Sequence, residues 1–287
     1  MIRTRGLLLA AVGVAVLTGV GTATFAVPSA TTPPCGGQVV AGMTCSFDDE
    51  FTGSLDASRW TVQTTAVGGY TTGPTTEKAC YEPSNVSVAD GNLQLTAVRQ
   101  ASFTCTKAKS TFTTDLTAGS VSSVGKFAQT YGRFEVRAKI PATSTPGLQE
   151  TLWLWPVNDI AYGPVWPESG EIDFAEFYSR YSSLVIPYLH YVAKSFQPVT
   201  AYNCHINVGQ FNVYGLTWKP GLLSIDVNGK TCLTDAYRAS NAPSPAPFDQ
   251  PFFVALTQAI GSNNGNAPTS ATPFPATTQV DYVRIWK

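Results

Sequence analysis

The stretch Glu168-Ser169-Gly170-Glu171-Ile172-Asp173-Phe174-Ala175-Glu176-Phe177 constrains the chain more than any other segment. It places four carboxylates in nine residues of a chain that is only 13% charged. A run of acids is ordinarily a solvated face. Here, however, Glu171, Asp173 and Glu176 sit between apolar residues. Glu171 and Asp173 are two apart, so in a strand they point to the same side. Continued regularly, that strand would turn Glu176 inward and Phe177 outward. One extra residue near Ala175, a β-bulge, corrects both at once. The stretch therefore reads as a bulged strand, with three acids on one face and Ile172, Phe174 and Phe177 on the other. Carboxylates paired on one surface are what hydrolysis of a glycosidic bond requires.

The surrounding chain has the same strand-like grain. From Cys45 onward, short β-like runs alternate with Gly, Asn, Asp and Pro, and amphipathic helical patterns are few. Residues 85–98 read as a hairpin turning on Asp90-Gly91. Residues 211–227 read as a second hairpin turning at Lys219-Pro220-Gly221. In Tyr131–Pro141, Phe134, Val136 and Ala138 face inward, while Arg133, Glu135 and Arg137 face out. Trp153 and Trp155 share one side of their run. The loop from Asn241 to Pro251 carries four prolines and reads as irregular. The chain ends on a strand, residues 279–286. Many short antiparallel strands in one chain imply an all-β sandwich. No repeat and no linker divides it.

Residues 1–30 read as a secretory signal peptide: Arg3 and Arg5, an apolar run from Leu7 to about Val20, then small residues with cleavage after Ala26 or Ala30. A retained membrane anchor is the alternative. Residues 31–44 form an extended Pro/Gly-rich lead-in, and residues 45–287 one domain. All six cysteines follow the signal, as expected of a secreted chain with three disulfides. Sequence-neighbour pairing (Cys35–Cys45, Cys80–Cys105, Cys204–Cys232) is the simplest arrangement. With a net charge of −1 and no basic patch, neither nucleic acid nor, after signal cleavage, a membrane is expected as a partner.

These residues, taken in order, resemble glycoside hydrolase family 16, and its laminarinase-like branch in particular. The resemblance runs through Phe47-Asp48-Asp49-Glu50-Phe51, Arg59-Trp60, Asp90-Gly91-Asn92-Leu93 and Tyr131–Arg137. It continues through Leu152-Trp153-Leu154, Trp166-Pro167, Gly170-Glu171-Ile172-Asp173 and Val280–Arg284. It implies a concanavalin-like jelly roll of two curved antiparallel sheets with a concave substrate cleft. It also implies Glu171 as nucleophile, Glu176 as general acid/base and Asp173 as an assisting acid. With the bulge, the Cα atoms of Glu171 and Glu176 would lie roughly 13 Å apart. A retaining reaction needs their carboxyls about 5–5.5 Å apart. Three crowded carboxylates cannot all ionise easily, so at least one pKa should rise. The chain departs from the family at Gln149-Glu150-Thr151, where Trp-Pro-Ala is common, and at residues 259–264, where a Gly-Gly-x-Trp step is common. Both stretches belong to cleft walls in the family.

Trp153 and Trp166 match platform tryptophans on which sugar rings stack. Trp155 is left open between platform and core, while Trp60, Trp218 and Trp286 read as core. Arg133 is a candidate for bonding sugar hydroxyls, with a salt bridge to Glu135 as the alternative. His190 is a candidate cleft residue because it follows the acid strand closely. The resemblance also implies a structural calcium at Glu50, Gly91 and Asp281, against strand-end capping by Asp281. No catalytic cofactor is expected. The reading that follows is a secreted, monomeric, retaining endo-hydrolase of β-1,3-glucan, extending to mixed β-1,3/1,4-glucan. The alternatives are a cell-wall transglycosylase, a hydrolase of another polymer such as a galactan, and a catalytically silent carbohydrate-recognition module.

Overall fold

The structure is a computed structural model, and it describes residues 33–287 apart from 77, 263 and 264. The expected signal peptide, the first two residues of the lead-in, and Asn263 and Asn264 of the second departure lie outside the described residues.

Two antiparallel sheets face each other across one core. In the first, Cys45–Asp49 and the start of Asn92–Lys107 both pair with Ala276–Trp286. Gly132–Lys139, Asn212–Lys219, Leu222–Val227 and Lys230–Asp235 follow in that order. The second sheet runs Thr61–Val62, Ser110–Ser122, Phe252–Ile260, Leu148–Pro156, Glu171–Tyr178 and Leu184–His190. The long hairpin of Asn92–Lys107 and Ser110–Ser122 connects the two sheets. A parallel pairing between Ala79–Tyr81 and Ser110–Ser122 interrupts the antiparallel pattern.

Side-chain alternation accounts for the layering. Phe134, Val136 and Ala138 of the first sheet meet Leu152, Leu154, Ile172, Phe174 and Phe177 of the second in one buried cluster. Replacing Phe174 by Ala would open this core directly behind the acids, at a cost of about 3–5 kcal/mol. Trp60, Trp218 and Trp286 are buried in the core as expected. The first hairpin turns on Asp90 and Gly91 with φ of 53° and 70°. Two successive positive φ values are what the two-residue turn between right-twisted strands demands.

The six cysteines pair with their sequence neighbours, Cys35–Cys45, Cys80–Cys105 and Cys204–Cys232. From Pro33 the chain makes a short 3-10 turn, Pro34–Gly37, which buries Cys35. The Cys35 N–H donates to Asp48 at 2.7 Å.

Candidate active site

The bulge lies where side-chain parity requires it. Opposite Leu148–Pro156, Asp173 pairs with Trp153 but Ala175 with Leu152, so Phe174 is the extra residue. Opposite Leu184–His190, Asp173 pairs with Tyr188 and Glu176 with Ile186. Phe174 and Ala175 are both fully buried, and Glu171, Asp173 and Glu176 share the opposite face. The three acids line a cavity of about 270 Å³ together with Trp153, Trp166 and His190.

Each acid has its own partners. The Trp166 indole N–H donates to Glu171 Oε2 at 2.7 Å. His190 Nε2 lies 2.9 Å from Asp173 Oδ2. Glu176 Oε1 accepts from both Tyr178 Oη and Gln149 Nε2, each at 2.7 Å. The His190 ring lies parallel to Tyr188 at 4.0 Å and tilted against Trp166 at 5.0 Å.

Burial dominates the electrostatics. It pushes the Glu171 carboxyl up to about 8, and the Asp173 charge adds to the rise. Burial also raises Asp173, with the Glu176 charge adding to it. Burial raises Glu176 too, opposed by the hydrogen bonds from Tyr178 and Gln149. His190 moves down, again through burial, and so favours its neutral form. All three shifts favour the protonated carboxyl, the form that general acid catalysis needs at one of them.

Beyond Trp153 the space continues into a second cavity of about 470 Å³, walled by Tyr70, Tyr81, Trp155 and Phe253. Trp155, undecided from sequence, therefore faces the open side, with its ring edge-on to Trp153 at 5.9 Å. The Trp153 indole N–H donates to Thr257 at 3.1 Å. Trp166 is 56% exposed at the rim of the cavity.

Arg133 is not part of this site. It lies on the outer side of the other sheet, ion-paired with Asp226 and with Glu135. The expectation that it bonds sugar hydroxyls is corrected, because its charge is consumed by two carboxylates. The trio expected to hold calcium fares similarly. Glu50 is gripped by Arg284 through Nε at 2.7 Å and Nη2 at 2.9 Å, and Asp281 pairs with Arg137. A cation there would have to displace two guanidinium groups, so these side chains do not fit the ion as they stand. Among the described residues, the cluster with metal-ligand geometry is Cys80, Glu82 and Cys105, and its cysteines are joined to each other.

Gln149 and Tyr178 were not foreseen as site residues. Parity could have found both, since Gln149 is four residues from Trp153 and Tyr178 two from Glu176.

Comparison with known proteins agrees with this geometry. The profile of the family described as Glycosyl hydrolases family 16 matches residues 75–284. A glucan endo-1,3-beta-glucosidase A1 of Niallia circulans is 32% identical over 279 residues, covering 86% of this chain and 38% of that protein. A keratan-sulfate endo-1,4-beta-galactosidase of Sphingobacterium multivorum is 36% identical over 173 residues, or 59% of this chain and 40% of the other. The chain thus spans about two fifths of the length of either relative. The solved endo-beta-1,3-glucanase of Pyrococcus furiosus superposes with a TM-score of 0.70 at 25% identity, covering 85% of this chain and 94% of that one.

Proposed function

The chain belongs to glycosyl hydrolase family 16, and from that premise we propose that it is a secreted, retaining endo-hydrolase of β-1,3-glucan. The observation that carries the reading is the bulged strand, which sets Glu171, Asp173 and Glu176 on one face of a cavity flanked by Trp153 and Trp166. The similarity to the Niallia circulans glucosidase supports the linkage. Three disulfides support export.

In the first step, ionised Glu171 attacks the anomeric carbon while Glu176 gives its proton to the leaving oxygen. The glycosidic C–O bond breaks and a glycosyl ester forms on Glu171. In the second step, Glu176, now a carboxylate, takes a proton from water. The water oxygen displaces the Glu171 carboxylate, so the anomeric configuration is retained. Glu171 must lose its proton first, and its negative charge then helps to keep Glu176 protonated. Asp173, midway along the strand, adjusts that balance through its contact with His190.

A second reading, hydrolysis of a galactan, draws support from the 36% identity to the keratan-sulfate endo-galactosidase. Neither cavity lining includes a lysine or arginine, so a neutral polymer suits this cleft better than a sulfated one. The test is a panel of laminarin, mixed-linkage glucan, neutral galactan and sulfated galactan, with product analysis. New reducing ends from laminarin with retained configuration are expected, and Glu171→Ala and Glu176→Ala should each abolish them. Preference for a galactan would replace the substrate, longer products would indicate transglycosylation, and binding without turnover would sink the hydrolase reading.

A further inference from the structure

Glu176 has two chemically different oxygens because of what surrounds it. Oε1 accepts from Tyr178 Oη and Gln149 Nε2, both at 2.7 Å. Amide nitrogen and phenol are both donors in this arrangement, and burial holds the Tyr178 phenol in its protonated form. The pair is built by strand register rather than by a loop, since Gln149 and Tyr178 stand directly opposite each other across the two strands. Both side chains consequently rise from the same face, two residues along from Glu176 and its partner Thr151.

An oxygen that already faces two donors has no room for a proton of its own. In neutral Glu176, Oε1 must be the carbonyl-type oxygen, and the O–H must sit on Oε2. We infer that Gln149 and Tyr178 are positioning residues that fix the transferable proton of Glu176 on Oε2 by holding Oε1 as a double acceptor. The inference rests on the reading of Glu176 as general acid/base.

The arrangement acts in both steps. As the proton leaves Oε2, negative charge grows on the carboxylate and both hydrogen bonds to Oε1 strengthen. Interactions that strengthen only as charge develops lower the barrier rather than merely improving binding. In the second step the same two donors keep Oε1 occupied, so water is deprotonated by Oε2.

The test uses Gln149→Leu and Tyr178→Phe, which keep volume and remove a donor. Wild type and variants are assayed on aryl β-glycosides of the sugar that the wild type cleaves. Nitrophenol leaves without proton assistance, whereas phenol needs it. Each variant should lose roughly 10- to 100-fold on the phenyl glycoside, and only a few-fold on the nitrophenyl one. Equal losses on both would mark a structural role and overturn the inference. A second arm needs no turnover: ¹³C NMR titration of labelled glutamates, with Glu176 assigned through Glu176→Gln. Removing donors to the charged form should raise the Glu176 midpoint in both variants, and an unchanged midpoint overturns the inference. A chain that cleaves no glycan refutes the hydrolase reading alone, and the titration then decides whether Gln149 and Tyr178 donate to the Glu176 carboxylate.

Discussion

His190 Nε2 lies 2.9 Å from Asp173 Oδ2, on a strand where His190 itself stands directly opposite Glu171. The contact is therefore diagonal across two antiparallel strands, and it ties the assisting acid to the nucleophile's own cross-strand neighbour. Burial lowers His190 and raises Asp173, so both shifts work against a permanent ion pair. Parallel stacking on Tyr188 restricts rotation of the ring.

His190→Ala would leave a carboxyl only 4% exposed without this partner. An unpartnered buried polar group costs about 1–3 kcal/mol. Where that cost enters the transition state, kcat falls roughly 10- to 100-fold. The expected result is a loss in kcat larger than any rise in KM, measured on laminarin. An unchanged kcat would show that Asp173 needs no partner.

The pH dependence of the reaction follows from Glu171. Its carboxyl is pushed up to about 8 by burial and by Asp173, yet it must be ionised to attack. In the free enzyme, kcat/KM should rise with pH along a limb set well above the ordinary carboxylate value. The rise should be about tenfold per unit on the acid side of that limb. It should then fall when Glu176 loses its proton. Measured values belong to the coupled group and not to one residue. An acid limb near the ordinary glutamate pKa of about 4.3 would contradict this ordering.

Arg133 gives a prediction about stability instead of binding. Its side chain is 16% exposed, and those of Asp226 and Glu135 are 14% and 8% exposed. Tyr282 Oη also donates to Glu135 at 2.8 Å, so the cluster is largely satisfied internally. Arg133→Met strands two carboxylates with little water, a change worth about 3–5 kcal/mol in buried pairs. Urea unfolding should show that loss, while KM for laminarin stays within about twofold, because nothing in this cluster touches the cleft. A large KM change would restore Arg133 to the site.

What could be read from sequence divides along the range of the interaction. The bulge, the acid face and the apolar face were legible because parity within ten residues decides them. Trp153 and Trp166 were legible as cavity residues through the family resemblance, and His190 because it closely follows the acid strand. Arg133 was misplaced because its partner Asp226 is 93 residues away, and only the neighbouring Glu135 is visible locally. The ion pair that engages Glu50 was hidden for the same reason, since Glu50 meets Arg284 across 234 residues. Gln149 was legible only as part of a cleft-wall stretch and Tyr178 not at all, because glutamine and tyrosine announce no chemistry until a carboxyl stands beside them.

Glu150 supplies the last prediction, because it is a carboxyl on the wrong side of its strand for catalysis. It points into the core between Leu148 and Leu152 and is 2% exposed. Gln258 Nε2 donates to it at 2.8 Å, and Thr278 fixes that amide by donating to the amide's oxygen at 2.8 Å. One hydrogen bond does not offset burial, and the carboxyl is pushed from 4.5 up to about 8. Between those two values the folded chain holds a proton on Glu150 that the unfolded chain has released. Folding stability must therefore fall as pH rises through this interval, with the full loss reached above about 8. Glu150→Gln keeps the shape and removes the titration. The variant should gain on wild type by up to about 1.4 kcal/mol per pH unit across the interval. Glu171, Asp173 and Glu176 slope the same way, but they are present in both proteins and cancel in the difference. Unfolding curves of both proteins from pH 5 to about 9 check this. A stability difference that does not change with pH would mean that Glu150 ionises inside the core, with a partner other than Gln258 carrying its charge.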